Sequence, residues 1–425
     1  MNAFSSAALA DPAALRAQFP IFAAAPEPFH YLDSAASAQI CRPAADALLR
    51  FETEARANVK RGVHRLADAA TVAFQHAREQ VAAYIGASDA DEVVFTGGST
   101  LSINLAAYGL ARRLRPGDEI LLSVLEHHAN IVPWQLAAEG TGAVIRALPV
   151  TDEGRIELES LDEFVTERTR VVALSHLSNV TGALTDIGRV VEAARAVARD
   201  DDDGGDGAPG PVILVDGSQR AAHGPIDVQA LGCDLYVLSS HKMFGPTGAG
   251  VLWGRKPVLE AMPPLLGGGE MIRRVTIQRS TYAAPPHRFE AGTPAIGPAI
   301  GMGAAAAWLL TLDWEAIAGH ERDLTRRVLD GLASLDGVRV IGPANLTDRL
   351  GIVSFDVAGV HPHDVCQLLD AEHGVALRGG HHCAQPLMDR FGLDATARAS
   401  LALYSDAADV DALLTGLDAT IRKLR

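Results

Sequence analysis

Between residues 32 and 281, apolar segments of β type alternate with helical ones, and few architectures satisfy that alternation. The β-type runs lie at 92–96, 119–123, 143–149, 171–175, 212–216, 235–239 and 250–254. Several are apolar throughout, as strands covered on both faces are. Helical runs such as 71–85 and 187–199 lie between them. The pattern predicts right-handed βαβ crossovers and a mostly parallel sheet. From about residue 311 the order changes to helix, strand, strand, helix over 314–335, 338–341, 352–357 and 363–372, which predicts a smaller α+β domain. The Ala-rich stretch 1–25 predicts a helix and a connection, and the acidic, Gly- and Pro-rich stretch 200–211 a surface loop.

The chain has 425 residues, 48% hydrophobic and 21% charged, ample for a large core and without the signature of disorder. Its formal net charge of -15 argues against a nucleic-acid backbone or an anionic membrane as the main partner. Cys41, Cys233, Cys366 and Cys383 form no Cys-x-x-Cys pair and no disulfide framework. The N-terminus has no basic start followed by an apolar run. The best membrane candidate, 300–312, is shorter than the roughly 20 residues a span requires. A cytoplasmic protein is expected.

Glycine-rich 245–250 lacks the Lys and Ser/Thr of a P-loop, and Gly267-Gly268-Gly269 fits a turn. His127-His128 and His381-His382-Cys383 lack further ligands at regular spacing, so no metal is expected.

Three segments carry chemistry. The apolar run ending Ser239-Ser240-His241-Lys242 places a lysine just past a buried strand. Such a lysine can form a Schiff base with an aldehyde if desolvation lowers its pKa, or it can simply mark a strand end meeting solvent. Ser239 and His241 could donate hydrogen bonds to a phosphate. The run 212–216 delivers Asp216 at a strand's C-terminal end, where open α/β sheets bind ligands. That carboxylate could pair with a protonated pyridine nitrogen or cap a helix. Gly97-Gly98-Ser99-Thr100, between a strand and a helix, suits a phosphate on a helix N-terminus, though Ser/Thr caps are ordinary.

Together these segments resemble the class V aminotransferase family of fold-type I enzymes dependent on pyridoxal 5'-phosphate (PLP), and within it the type II, SufS-like cysteine desulfurases. Supporting stretches are Leu32-Asp33-Ser34-Ala35-Ala36-Ser37, Glu126-His127-His128-Ala129-Asn130, His241-Lys242-Met243-Phe244-Gly245, Phe289-Glu290-Ala291-Gly292-Thr293-Pro294 and Arg378-Gly379-Gly380-His381-His382-Cys383-Ala384. The resemblance covers residue 32 to the C-terminus. It implies a seven-stranded, mostly parallel sheet in a large domain, 24–310, and a small α+β domain from 1–23 and 311–425. Lys242 would carry PLP and move the Cα proton. Asp216 would pair with the pyridinium nitrogen, Gln219 with the ring hydroxyl, and His127 would stack on the ring. Ser99, Thr100, Ser239 and His241 would hold the phosphate, with Thr293 from the second subunit of a homodimer. Asn179, Arg378 and Arg398 would hold the carboxylate of L-cysteine, and Cys383 would take its sulfur as a persulfide destined for iron-sulfur cluster assembly. His363, in His361-Pro362-His363-Asp364, would exchange zinc with a SufU-like acceptor, a SufE-like acceptor being the competitor. The bland reading of His363 is a solvent-facing helix cap. Other readings on the same scaffold are a selenocysteine lyase, another class V lyase or epimerase, or a non-catalytic binding protein. The family's Arg-Gly-Thr-Thr-Glu is Gly97-Gly98-Ser99-Thr100-Leu101 here, which bears on the dimer interface.

Overall fold

The computed structural model describes residues 11–60, 62–197 and 210–425. Residues 1–10 of the expected N-terminal helix and nearly all of the expected acidic loop lie outside the described residues. Seven strands build the main sheet: β1 (Val93–Thr96), β2 (Glu119–Ser123), β3 (Val144–Leu148), β4 (Thr169–Ser175), β5 (Val212–Asp216), β6 (Leu235–Ser239) and β7 (Gly250–Gly254). Their spatial order is β1-β7-β6-β5-β4-β2-β3. All neighbours run parallel except β7, which is antiparallel to both β1 and β6. Four strands form the second, wholly antiparallel sheet: β8 (Val338–Ile341), β9 (Ile352–Val357), β10 (Arg378–Gly380) and β11 (Thr396–Ser400), in the order β8-β9-β11-β10.

The uniform hydrophobicity of the central strands has a direct cause. Successive side chains point to opposite faces, and each face is covered by its own apolar layer. Ile213 and Val215 of β5 enter one layer with Tyr236, Leu238 and Trp253. Val212 and Leu214 enter the other with Leu235, Val237 and Leu252. Fully burying such a side chain contributes roughly 1.5–3 kcal/mol.

The helices that matter for the site are α1 (Arg42–Glu54), α2 (Arg65–Tyr84), α3 (Ser99–Ala111), α4 (Ile187–Ala196), α5 (Ile296–Leu309), α6 (Trp314–Ala333), α7 (Pro362–His373) and α8 (Ala407–Leu424). Side-chain caps start several of them: Asp186 bonds the Arg189 amide at α4, and Asp313 the Ala316 amide at α6. Asp406 and Asp409 form a reciprocal capping box at α8. Helix α5, the most apolar stretch, packs against α1 and α2. Among the described residues no single helix is long and apolar enough to cross a membrane.

Helices α6, α7 and α8 enclose a separate apolar cluster with β9 and β11. The N-terminal segment touches both bodies: Phe19 packs on Phe244, Trp308 and Tyr404, and Arg16 pairs with Asp409 of α8 at 2.8 Å.

Candidate active site

The strands β4, β5 and β6 end together, and their last residues, Ser175, Asp216 and Ser239, open on one cavity of about 850 Å³. Lys242 follows β6 through a single 3-10 turn, Ser240–Lys242, and is also in the wall. The second sheet closes the other side with Arg378 from β10, Arg398 from β11 and Cys383 from the turn between them. Of the residues singled out in the sequence, Ser99, Thr100, His127, Asn179, Asp216, Gln219, Ser239, His241, Lys242, Arg378, Cys383 and Arg398 all line this space. Thr293 is exposed and does not, nor does His363.

Lys242 lies in a setting that makes its ammonium easier to deprotonate than an exposed one. Burial lowers its pKa, while Asp216 pulls the other way. Asp216 accepts hydrogen bonds through Oδ1 from the Ser218 amide at 2.9 Å and from the Ser218 hydroxyl. It therefore fixes its own turn with one oxygen and leaves the other available to a cationic ring nitrogen. The Gln219 amide donates to the Ala35 carbonyl at 2.8 Å, which orients its carbonyl end.

His127 is neutral. Burial and the Lys242 cation drive its pKa down to about 4. Its Nδ1 accepts the Ala129 amide at 3.0 Å, so the ring proton resides on Nε2. The residue before it, Glu126, is wholly buried and meets no cation among the described residues. Its carboxylate accepts from Ser123 Oγ and Ser175 Oγ, each at 2.6 Å, and from Asn130 Nδ2 at 2.7 Å. Burial pushes its pKa up to about 7 despite these donors. The network fixes the segment that carries His127. The sequence gives no signal for it, because its partners come from β2, β4 and the turn after His127.

The opposite end suits an anion. Helix α3 begins at Ser99, and its N-cap Gly98 has φ 143°, ψ 168°, a region open only to glycine. The Ser99 amide and hydroxyl both meet Ser239 Oγ at 2.8 Å. A Cβ on Gly250 would stand 2.4 Å from the Gly98 Cα, so glycine there lets β7 support the cradle. Free amides at a helix start with hydroxyls beside them bind phosphate. His241 borders this end, its pKa lowered to about 4 by burial and Lys242.

The arginine end holds a member the sequence did not single out. Asp33 pairs with Arg398 at 3.2 Å and lies 3.9 Å from Arg378. Arg398 is 3% exposed and Arg378 56%. Arg398 also donates to the Asn179 carbonyl at 2.9 Å, yet its Nε is buried without a hydrogen-bond partner among the described residues. A buried, unsatisfied guanidinium donor beside a cavity fits an incoming carboxylate. Asn179 donates its amide to the His382 carbonyl at 2.8 Å, so it braces the Cys383 turn besides lining the cavity.

Cys383 is half-buried at that turn, with φ 55° following φ 53° at His382. Burial pushes the thiols of Cys41, Cys233 and Cys366 up to about 12 and leaves none of them at the cavity. His363 is exposed at the start of α7. The cap of that helix is His361, whose ring accepts the His363 amide at 3.2 Å, which corrects the reading of His363 as the cap.

The donors present fit PLP: a desolvated amine, a facing carboxylate at the sheet's edge and a helix-start anion cradle share one cavity. The model of the family described as "Aminotransferase class-V" matches residues 30–413. A "Probable cysteine desulfurase" of Streptomyces coelicolor is 44% identical, over 96% of this chain and 97% of its own. A "Cysteine desulfurase" of Dickeya dadantii is 43% identical, over 95% of each chain. Among solved structures, the Escherichia coli cysteine desulfurase CsdA (S-sulfonic acid) superposes with TM-score 0.88 at 40% identity, covering 100% of both chains. A C-DES variant with glycine covalently linked to its PLP cofactor shares the fold at TM-score 0.79 and 23% identity, over 95% of this chain and 98% of its own.

Proposed function

The chain belongs to the class V aminotransferase family and is a PLP-dependent cysteine desulfurase, and we propose that Cys383 takes the sulfur of L-cysteine while the carbon skeleton leaves as L-alanine. The observation that carries this reading is the placement of Lys242, which follows the large sheet, and Cys383, which follows a strand of the second sheet, in the wall of one cavity that Arg398 lines as well, its Nε unsatisfied among the described residues.

PLP, when bound, supplies an electron sink that stabilises charge at the substrate's Cα. The chain's own residues do the rest. Arg398 and Arg378 hold the substrate carboxylate, and Asp33 keeps both guanidiniums in place. Lys242 takes the Cα proton as a free amine and holds it for return. Neutral His127 can donate from Nε2 without adding a charge. Cys383, as the thiolate, then forms an S–S bond as the substrate's Cβ–S bond breaks. The electron pair of that bond passes to carbon, which takes a proton and becomes the methyl group of alanine. Incubation with L-cysteine should release alanine and leave label from the substrate sulfur on Cys383. Failure to form alanine from cysteine, with turnover of selenocysteine alone, would shift the assignment to a selenocysteine lyase.

A homodimer is part of the same reading. Thr293 is exposed and does not line its own cavity, and Val275 and Ile277 of the 272–282 hairpin are exposed at 60% and 97%. Both features support a second copy that receives Thr293 at its phosphate end.

The persulfide would pass to a zinc-bearing SufU-like acceptor and on to iron-sulfur cluster assembly. A Cβ built on Gly380 would lie 3.9 Å from His363 Nε2, so the ring abuts the strand that leads into the Cys383 turn. An exposed imidazole there can replace a thiolate on zinc, which accepts both. Zinc-loaded SufU-like protein should raise turnover several-fold in the wild type and not in His363→Ala. Equal stimulation of both removes the histidine from transfer. Stimulation only by a SufE-like protein assigns the competitor.

A further inference from the structure

The Cys383 turn is held in a conformation that its own residues disfavour. His382 and Cys383 have φ 53° and 55° in succession, and neither is glycine. Such backbone persists only where the surroundings over-determine it. Much of that constraint comes from two imidazoles that the sulfur chemistry leaves unused.

His128 contacts the turn twice. Its amide donates to the Cys383 carbonyl at 2.7 Å. Its ring Nε2 accepts the Gln385 amide at 3.1 Å. Gln385 begins the short helix Gln385–Phe391, so that amide has no acceptor within its own helix, and the His128 ring supplies one. From within the turn, His381 Nδ1 accepts the Cys383 amide at 2.9 Å. The two rings lie 5.5 Å apart at 37°. On the far side, His382 bonds Thr396 at 2.9 Å, and its carbonyl accepts the Asn179 amide.

We propose that His128 is a positioning residue for Cys383, docking the thiol-bearing turn onto the segment that carries His127. The proposal rests on the reading of Cys383 as the sulfur acceptor. His128 opens the same 3-10 turn, His128–Asn130, that Glu126 anchors through Asn130. The thiol is thereby referenced to the ring-stacking histidine rather than to its own sheet alone. The contact at Nε2 requires a neutral ring protonated on Nδ1. Burial, with the neighbouring His381, lowers the His128 pKa and favours the neutral ring, and the Gln385 amide at Nε2 leaves its proton on Nδ1.

Removing the ring frees the Gln385 amide and lets the turn relax toward right-handed backbone, which carries the thiol away from the cavity. His128→Ala should therefore lower kcat for alanine formation roughly ten- to a hundredfold. KM for cysteine, the cofactor absorbance and its change on adding cysteine should stay at wild-type values, because Lys242, Asp216 and Arg398 are untouched. Alkylation of Cys383 by iodoacetamide should change in rate. His128→Gln, whose side-chain carbonyl reaches about as far as Nε2, should recover most of kcat. Wild-type kcat in His128→Ala would overturn the proposal. So would a loss in His128→Ala that tracks cofactor binding and is not relieved by glutamine. A Cys383→Ala control that forms alanine at the wild-type rate would instead remove the reading of Cys383 itself.

Discussion

Lys242→Ala is expected to give a protein that lacks the lysine-linked cofactor absorbance and forms alanine from cysteine at least about a thousandfold more slowly than the wild type. Two roles disappear with one amine: the covalent hold on PLP and the group that takes the Cα proton. The effect does not come from unfolding. The Lys242 side chain ends in a cavity and its backbone sits in a short turn held by the bond from Met243 N to Ser240 O. Asp216 keeps its turn through Ser218 in either case. Absorbance of the purified variant and an alanine assay are sufficient, since soluble Lys242→Ala with wild-type colour and rate would sink the assignment of the lysine.

Cys383→Ala separates the two halves of the reaction. The variant should keep the cofactor absorbance and its change on adding cysteine, yet carry no persulfide and form alanine at least about a hundredfold more slowly. The electrostatic setting of the other thiols explains why none substitutes. Burial holds Cys41, Cys233 and Cys366 near pKa 12, so the nucleophilic thiolate is scarce in all three, and none lines the cavity. Mass spectrometry of the protein after cysteine treatment checks this. Persulfide on any of the other three thiols in the wild type would identify a different nucleophile.

The large sheet was legible because its strands are buried on both faces. Runs 119–123, 212–216, 235–239 and 250–254 coincide with observed strands, since an apolar layer covers each face of the sheet there. The reversal of β7 left no trace in composition, because direction is set by the connection and not by which side chains are buried. In the small sheet, β8 and β9 stood out, while β10 and β11 did not. Arg378-Gly379-Gly380 and Thr396–Ser400, with its alternating alanines, carry few β-branched residues. Helix α2 starts at Arg65, six residues before the periodic apolar pattern at Thr71, because its first turns are largely solvent-facing.

The site divides along similar lines. Lys242 and Asp216 announce themselves as charged groups at the ends of apolar strands. Asp33 and Glu126 lie within the sequence motifs, but Asp33 acquires its meaning from Arg398, and Glu126 needs Ser175 of β4 to complete what its local partners Ser123 and Asn130 begin. Long-range ion pairs and buried networks of that kind are properties of the fold and have no local spacing by which to recognise them. His128 is hidden for the same reason, since its acceptor role depends on Gln385.

The register of the second sheet sets Arg378 directly opposite Arg398 on adjacent strands. Two like charges so placed repel one another, and the single carboxylate of Asp33 is shared between them. The pair and its counterion thus carry an excess positive charge before anything enters. A carboxylate arriving there adds its own attraction and also quenches a standing repulsion, so the pocket acts as an electrostatic spring set against its empty state. A neutral amide analogue of the same shape leaves that spring loaded. Discrimination for the acid form is therefore written into strand pairing, and a one-residue slip of β10 would turn Arg378 to the opposite face and discharge it.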